Sequence, residues 1–366
     1  MALTAALTLD TLRRFAVSRS LFAPKTLEQA IETLGFVQAD PIRAPARAQD
    51  LTLRQRVDGY VAGDLERQYH KLGVEEDFFI NYGFVTREVH ALMHPRMGRR
   101  STWSRSQGQR AAMILKFVRQ RGSVHPREVD EQFSHGTVTN YWGGSSNATT
   151  HLLDLMHYRG LLRIVRRDAG IRVYGVRDPV PAAAHTSERA ARVDALVDVA
   201  VRKYAPLPGQ SLTQLVRRLR YAVPQWEDEL KPALERTRLR LAHARIGSTD
   251  WYWPSTETVG TEAEPSAARL LAPFDPLVWD RRRFEIFWGW PYRFEAYTPA
   301  AKRSFGYYAL PLLWRERVIG WGNLSVTNGT LDASLGYVAG RPPRERAFRQ
   351  ELEAELARVR EFLCLV

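Results

Sequence analysis

The sequence predicts a predominantly helical α+β fold, with three tandem winged-helix domains followed by a small β-barrel and a C-terminal helix. A helix, a short helix, a second helix and two strands joined by a tight loop follow one another in the middle of the chain. The same order recurs after an Ala/Pro-rich linker at 178–184, and it is typical of winged helices. Beyond Leu270, aromatic-rich segments alternate with turns, which favours an antiparallel barrel or sheet.

Length and composition agree with several compact units. The chain has 366 residues and 45% apolar content, which is enough for several cores. We expect a winged-helix-like domain at 1–104, winged helices at 105–180 and 185–258, and the barrel with its closing helix at 265–366.

The first domain is expected to be an altered copy of the winged helix. Thr26 has the spacing of a capping box and predicts a helix that ends at Gly35. The segment at 36–42 then reads as extended, because Pro41 disfavours helical geometry at Asp40. A basic helix is expected over Ala46–Val57.

The central domain contains the candidate recognition helix, Ser146–Tyr158, which carries apolar residues on one face. A helix over Gln109–Arg121 precedes it, and two wing strands follow at Leu161–Arg166 and Ile171–Val176. In the third domain the pattern predicts helices at Ser187–Tyr204 and Pro224–Arg236.

In the last domain the pattern predicts a closing helix at Arg344–Phe362. The strands predicted before it are Phe284–Trp288, Tyr292–Tyr297, Phe305–Leu313, Arg317–Leu324 and Thr330–Tyr337.

Charge points to a polyanionic partner. A net charge of +13 and a pI near 10 favour nucleic acid, because basic side chains that neutralise phosphates release condensed counterions. Arginines far outnumber lysines; a GC-rich genome explains that ratio equally well, though not the net charge. Cys364 is the single cysteine, which excludes an internal disulfide and a thiolate-rich metal site. With no signal-like or membrane-spanning segment, we expect a cytoplasmic, nucleoid-associated protein.

The segment Gln38-Ala39-Asp40 is the strongest candidate for chemistry. Local spacing alone favours an Asx-Pro turn or a helix cap for Asp40. Two longer segments, Leu271–Arg283 and Pro299–Tyr308, together with the winged helices, resemble the winged-helix DNA glycosylase family over nearly the whole chain. In that family the AlkZ branch has a Gln-x-Gln catalytic motif and the AlkX (YcaQ) branch has Gln-x-Asp, so this chain is more similar to the AlkX branch.

The resemblance implies a base excision repair enzyme that removes alkylated purines and, in some members, unhooks interstrand crosslinks. It implies catalytic roles for Asp40 and Gln38, and three winged helices plus a barrel in a C shape. This chain departs from AlkX-like proteins at Gln49-Asp50, where they tend to carry paired histidines. It also departs at 79–84, where they carry Phe-Glu-Tyr-Trp-x-His. Both differences bear on the lesions accepted, crosslinks above all.

A carboxylate suits the implied chemistry. Alkylation at N7 makes a purine a cationic leaving group, so the developing positive charge at C1′ is what needs stabilisation. Asp40 is expected to stabilise that charge and activate water, with Gln38 orienting the water or the carboxylate. No lysine lies in the motif, so a monofunctional reaction that leaves an abasic site is expected.

Alternatives remain open at this level. A non-enzymatic winged-helix regulator explains the charge and the helices, whereas a phosphodiesterase would need clustered carboxylates for Mg²⁺. No cofactor is expected, and no metal, because the histidines lack HExxH-like spacing. The expected partner is double-stranded DNA with alkylated or crosslinked purines, bound by a monomer without an obligate protein partner. The expected DNA contacts are Arg43, Arg47, Arg54, Arg56, Trp142, Arg166, Arg167, Arg281, Arg282, Lys302 and Arg303, although Arg281 and Arg282 serve equally well in surface ion pairs.

Overall fold

The structure is a computed structural model that describes residues 7–96, 103–133, 136–139, 145–183, 185–260 and 265–365. It is a mixed α+β fold with small antiparallel sheets. None of the described helices combines the length and apolarity needed to cross a membrane. Trp142, one of the expected DNA contacts, lies outside the described residues.

The N-terminal segment follows the predicted element order. Thr26 and Gln29 exchange the two hydrogen bonds of a capping box, and the helix ends at Gly35 with a φ of 65°, as predicted. A Cβ at Gly35 would lie 2.6 Å from Val199 Cγ1, so packing also requires glycine there. The expected basic helix over 46–57 is shorter. The elements are α1 (Leu9–Ser20), α2 (Leu27–Leu34), β1 (Phe36–Gln38), α3 (Ala48–Leu53), α4 (Asp64–Gln68), β2 (Val74–Phe78), β3 (Tyr82–Thr86) and α5 (Arg87–Met93).

The central segment has the element order of a winged helix. Asn147 caps the predicted recognition helix by accepting a hydrogen bond from Thr150 N at 2.9 Å. The wing strands pair with each other and with a short first strand, in the order β4-β8-β7. An unpredicted hairpin, β5 with β6, precedes the recognition helix. The elements are α6 (Arg105–Arg121), β4 (Ser123–Val124), α7 (Pro126–Phe133), β5 (Thr137–Thr139), β6 (Ser145–Asn147), α8 (Ala148–Tyr158), β7 (Leu162–Asp168) and β8 (Ile171–Val176).

The third segment repeats this arrangement. Its first strand pairs with the last strand of the hairpin, as β4 pairs with β8. The predicted helix at Pro224 begins as a 3₁₀ turn over Pro224–Glu229 before the α-helix starts. The elements are α9 (Thr186–Tyr204), β9 (Leu207–Pro208), α10 (Gly209–Arg218), α11 (Leu230–Arg240), β10 (Ala242–Ile246) and β11 (Thr249–Trp253).

The C-terminal segment corrects the predicted barrel. It contains an open sheet in the order β12-β13-β14-β15, and no closed barrel forms among the residues described. The predicted strand at 284–288 is helical: Asp280 caps it by accepting from Arg283 N at 3.1 Å, and Phe284 and Phe287 bury one helical face. Tyr292–Tyr297 forms no strand. The elements are β12 (Ala268–Leu270), α12 (Pro276–Trp279), α13 (Arg281–Trp288), β13 (Leu310–Trp314), β14 (Arg317–Thr327), β15 (Thr330–Tyr337) and α14 (Arg346–Phe362).

Contacts divide the chain into two compact units. The first unit comprises Met1–Leu65, Asp198–Val216 and Leu234–Val366, and the second comprises Glu66–Val197 and Arg217–Ala233. The four domain boundaries expected from the sequence stay a prediction.

The second unit buries three consecutive acidic residues on β2. Uncompensated buried carboxylates would be strongly destabilising, and each of these has an arginine partner. The pairs are Glu75 with Arg163, Glu76 with Arg167 and Asp77 with Arg96, at 2.7, 2.5 and 2.6 Å. The wing arginine Arg167 is therefore committed to an internal ion pair.

Three buried histidines surround the same strand. The rings of His90 and His94 stack at 4.1 Å, and both Nε2 atoms lie within 2.9 Å of one Asp77 oxygen. Burial lowers the pKa of all three histidines, to about 3 for His94 and about 4 for His157. The second unit therefore holds neutral imidazoles at neutral pH.

We predict that acid destabilises the protein through His157. Its pKa is about 4 in the fold and 6.5 when unperturbed, so below pH 6.5 the unfolded chain binds a proton that the fold does not. Stability is therefore fully present above pH 6.5 and declines toward pH 4, by about 3 kcal/mol from this residue. Urea unfolding across this pH range measures the decline. His157→Phe should make the pH dependence shallower, and an unchanged slope in that variant would contradict the assignment.

Candidate active site

The carboxylate of Asp40 is held beyond the end of β1 with little internal pairing. Its Oδ1 accepts a hydrogen bond from Ile42 N at 2.9 Å, which is the Asx turn expected from local spacing. This is the one hydrogen bond that the carboxylate accepts from the described residues. Asp40 is half-buried, and burial raises its pKa while the Ile42 bond opposes the shift. The fold thus presents a relatively basic carboxylate with an available oxygen.

Gln38 is oriented by a tryptophan from the C-terminal segment. The Gln38 side chain is buried, and its Oε1 accepts a hydrogen bond from Trp279 Nε1 at 3.1 Å. Trp279 ends α12 and packs on Tyr204 with ring centroids 4.7 Å apart. The Trp279 contact fixes the amide orientation of the residue expected to assist Asp40.

The residues at the first departure from the AlkX pattern support this segment. Gln49 Oε1 accepts a hydrogen bond from Asp40 N at 3.3 Å. Asp50 is buried and accepts from Tyr60 Oη at 2.7 Å and from Gly63 N at 3.2 Å. Gln49 therefore positions the backbone of the catalytic candidate, and Asp50 holds the loop that follows α3.

A buried lysine that sequence reasoning missed supports β1. Lys203 Nζ donates a hydrogen bond to the carbonyl oxygen of Phe36, two residues before Gln38. Burial, followed by the charge of Arg56, lowers the pKa of Lys203 to about 7, and Asp275 opposes the shift. Lys203 and Phe36 are 167 residues apart, so no local pattern signals the contact.

Three of the arginines expected to bind phosphate make bonds within the protein. Arg54 pairs with Glu355 at 2.6 Å, and the fully buried Arg56 makes two bonds to Asp275 at 2.8 and 3.0 Å. Arg281 donates to the carbonyl oxygens of Val278 and Pro273. Their guanidinium groups satisfy acceptors within the first unit.

The other expected contacts differ in how available they are. Arg43, Arg282 and Lys302 are exposed, and none makes a side-chain hydrogen bond or ion pair with another described residue. Arg303 donates to Thr298 O at 2.8 Å and lies over the ring of Tyr307. In the second unit, the half-exposed Arg166 pairs with Asp168, and Arg167 pairs with Glu76. In the first unit, Arg47 is half-buried at the start of α3.

One group of potential metal ligands occurs among the described residues: Asp77, His90 and His94, whose ligand atoms lie within 4.8 Å of one another. The two histidines are four residues apart in the sequence, a spacing that places them on one face of a helix. Arg96 pairs with Asp77 at 2.6 Å, and Arg177 Nη1 lies 3.1 Å from His90 Nδ1. Two adjacent guanidinium groups oppose binding of a dication, so hydrogen bonding to Asp77 is the role that this cluster supports.

Comparison with known proteins identifies the family of the chain. The family described as DNA glycosylase AlkZ-like matches residues 31–362. The chain belongs to the AlkZ-like DNA glycosylase family. Among solved structures, this AlkZ-like protein is similar to the Streptomyces sahachiroi DNA glycosylase AlkZ, with a TM-score of 0.62, 12% identity, and coverage of 97% of this chain and 96% of that chain. At this identity the likeness shows a shared fold.

We predict opposite outcomes for two arginines that the sequence treats alike. Arg56→Met leaves Asp275 buried without its partner and should lower the free energy of unfolding by about 3–5 kcal/mol. The matched exposed substitution, Arg43→Met, should change it by less than about 0.5 kcal/mol. Urea unfolding measures both. Similar small effects for the two variants would contradict the structural role of Arg56.

Proposed function

We propose that this AlkZ-like protein is a monofunctional DNA glycosylase that releases cationic alkylated purines, of the N7-alkylguanine type, from duplex DNA. The observation that carries the proposal is the Asp40 carboxylate, which is partly desolvated, held by one backbone N–H and adjacent to the oriented Gln38. An interstrand crosslink between purine N7 positions presents the same leaving group, so we include it among the substrates.

The chemistry follows from where charge develops. The alkylated base leaves as a neutral molecule, and positive charge accumulates on the sugar at C1′. The Asp40 carboxylate stabilises this charge, and its raised pKa favours accepting a proton from the attacking water. Gln38, fixed by Trp279, orients that water or the carboxylate. The products are a free base and an intact abasic site.

The exposed cations Arg43, Arg282 and Lys302 provide sequence-independent attraction to the phosphate backbone. A non-enzymatic DNA binder would use the same cations and would have no need of Asp40. Catalysis that depends on Asp40 therefore separates the two functions.

We predict that Asp40→Asn abolishes base release while preserving the fold. Asn retains an oxygen for the Ile42 N–H bond but lacks the charge, so release should fall by at least about 100-fold. Single-turnover release of N7-methylguanine from a duplex oligonucleotide measures the loss. Because burial disfavours the Asp40 charge, the unfolding midpoint of the variant at neutral pH should not fall.

Affinity of the Asp40→Asn protein for undamaged duplex, measured by anisotropy, is the control and should match that of the wild type. Absence of release by the wild-type protein from any cationic lesion or crosslink would support the non-enzymatic DNA binder instead. Strand cleavage that a chelator abolishes would indicate a phosphodiesterase.

We also predict an acid-side decline in the release rate. Protonation of Asp40 removes the charge that acts on the sugar, and its pKa is raised above the ordinary 3.8. The rate should therefore fall as pH decreases, beginning at a higher pH than an unperturbed aspartate would give. Single-turnover rates, corrected for spontaneous depurination, measure the profile. A rate that is flat down to about pH 4 would contradict the role of Asp40 as an ionised group.

A further inference from the structure

The end of α9 lies against the strand that carries Gln38. Gly35, which leads into β1, approaches α9 so closely that a Cβ there would lie 2.6 Å from Val199 Cγ1. One helical turn later, Lys203 Nζ donates a hydrogen bond to the carbonyl oxygen of Phe36. All of these residues belong to the first unit. One end of one helix therefore contacts two successive residues that precede Gln38.

Tyr204, the last residue of α9, forms a second connection to the same glutamine. Its ring packs on the indole of Trp279 with ring centroids 4.7 Å apart, and Trp279 Nε1 donates to Gln38 Oε1. The carbonyl oxygen of Tyr204 accepts a hydrogen bond from Arg283 of α13, which fixes the end of α9. Neighbouring residues of α9 therefore contact both the backbone of β1 and the side chain that orients Gln38.

The buried ammonium of Lys203 has no carboxylate of its own. The bond to Phe36 is the one hydrogen bond that it makes with the described residues. Its Nζ lies 5.0 Å from the ring centroid of Phe36 and 5.3 Å from that of Tyr204, within the range of cation–π attraction. The charges that act on it are Arg56, which follows α3, and Asp275, which caps α12. Asp275 is already bound by Arg56 through two hydrogen bonds, so one carbonyl oxygen and two ring faces hold the ammonium.

Loss of the ammonium charge weakens each of these contacts. A neutral amine donates a weaker hydrogen bond to the Phe36 carbonyl oxygen, and it has no attraction for the two ring faces. Because the pKa of Lys203 is lowered to about 7, first by burial and then by the charge of Arg56, both forms are present near neutral pH. The causes that shift the pKa of Asp40 are burial and the Ile42 N–H bond. Lys203 therefore acts on that carboxylate through the position of β1 rather than through its charge.

We propose that Lys203 is a positioning residue for base release. Its ammonium holds the backbone of β1 and, through the ring of Tyr204, the indole of Trp279. Gln38 is thereby kept in place beside Asp40. This inference rests on the proposed function for the reaction that is measured. It adds an alkaline limb to the acid limb set by Asp40: the release rate declines as pH rises through about 7, because deprotonation removes the charge that holds β1.

The first test compares Lys203→Met with the wild type in single-turnover release of N7-methylguanine from duplex DNA. The variant should be about 10-fold to 100-fold slower at about pH 6 and within about three-fold at about pH 9, where the wild type has lost the charge. The ratio of the two rates is the readout, because the methylated base itself loses its N1 proton in this range. Affinity for undamaged duplex should be unchanged. Lys25→Met is the matched control: it removes an exposed lysine that bonds Thr33 and lies over the Phe22 ring, and it should match the wild type at every pH.

The indole of Trp279 provides a second readout that requires no activity. Among the tryptophan N–H resonances of the ¹⁵N-labelled protein, the one that Trp279→Phe removes should shift in the wild type with a midpoint at about pH 7. The shift should be absent in Lys203→Met and present in Lys25→Met. Lys203→Arg keeps a cation that does not titrate in this range, so it should also lack the shift while releasing base faster than Lys203→Met. This variant decides the case if Lys203→Met proves unstable.

The two readouts separate this inference from the proposed function. Release by Lys203→Met within about two-fold of the wild type at about pH 6, or a rate ratio that does not change with pH, overturns the inference and leaves the proposed function standing. A Trp279 resonance that stays constant in the wild type also overturns the inference. A shift that is lost in Lys203→Met, in a wild-type protein that releases no base, supports the connection from Lys203 to Trp279 and overturns the proposed function.

Discussion

Arg56 and Asp275 stand 219 positions apart in the sequence and form a fully buried ion pair on which the geometry of the candidate site depends. Arg56 is tied to the N-terminal segment through the carbonyl oxygens of Ser20 and Thr52. Asp275 also caps α12 by accepting from Leu277 N, and α12 ends at Trp279. The pair therefore links the N-terminal segment to the helix that ends at the indole that orients Gln38. A buried charge without its partner costs several kcal/mol. Displacement of α12 from the N-terminal segment is therefore unfavourable.

The pairing of buried carboxylates with arginines also explains why the sequence contains more basic residues than the surface offers for binding phosphate. The buried Glu355 forms an ion pair with Arg54, and the buried Glu76 on β2 forms one with Arg167. Some of the arginines that the sequence assigned to phosphate, such as Arg54 and Arg167, therefore neutralise internal carboxylates instead. The cations left on the surface of the first unit, such as Arg43 and Lys302, are the ones that phosphate can reach.

Local rules predicted what local interactions determine. The capping box at Thr26, the stop at Gly35 and the Asx turn at Asp40 all depend on residues within four positions of one another, and the structure contains each of them. Element order predicted most of the helices and paired strands of the central and third segments. The alternating aromatics at 284–288 misled because period-two and helical patterns overlap in a short apolar run, and the cap at Asp280 decides for the helix. Lys203 under β1 and Trp279 on Gln38 were beyond reach, since each contact closes a loop of more than 160 residues.

Two aspartates of the same segment, Asp40 half-buried and Asp50 buried, differ in a way that favours Asp40 for the proposed catalytic role. Burial raises the pKa of both, but Asp50 is occupied by Tyr60 and Gly63, whereas Asp40 accepts a single backbone bond. Asp40 also lies in the electrostatic field shared with Tyr297 and Tyr308. The overall charge of +13 attracts the phosphate backbone, but free salt screens that attraction beyond about 8 Å. Under the proposed function, the Asp40 carboxylate acts on the sugar within that distance, so a positive net charge of the chain is compatible with stabilisation of a cation at the site.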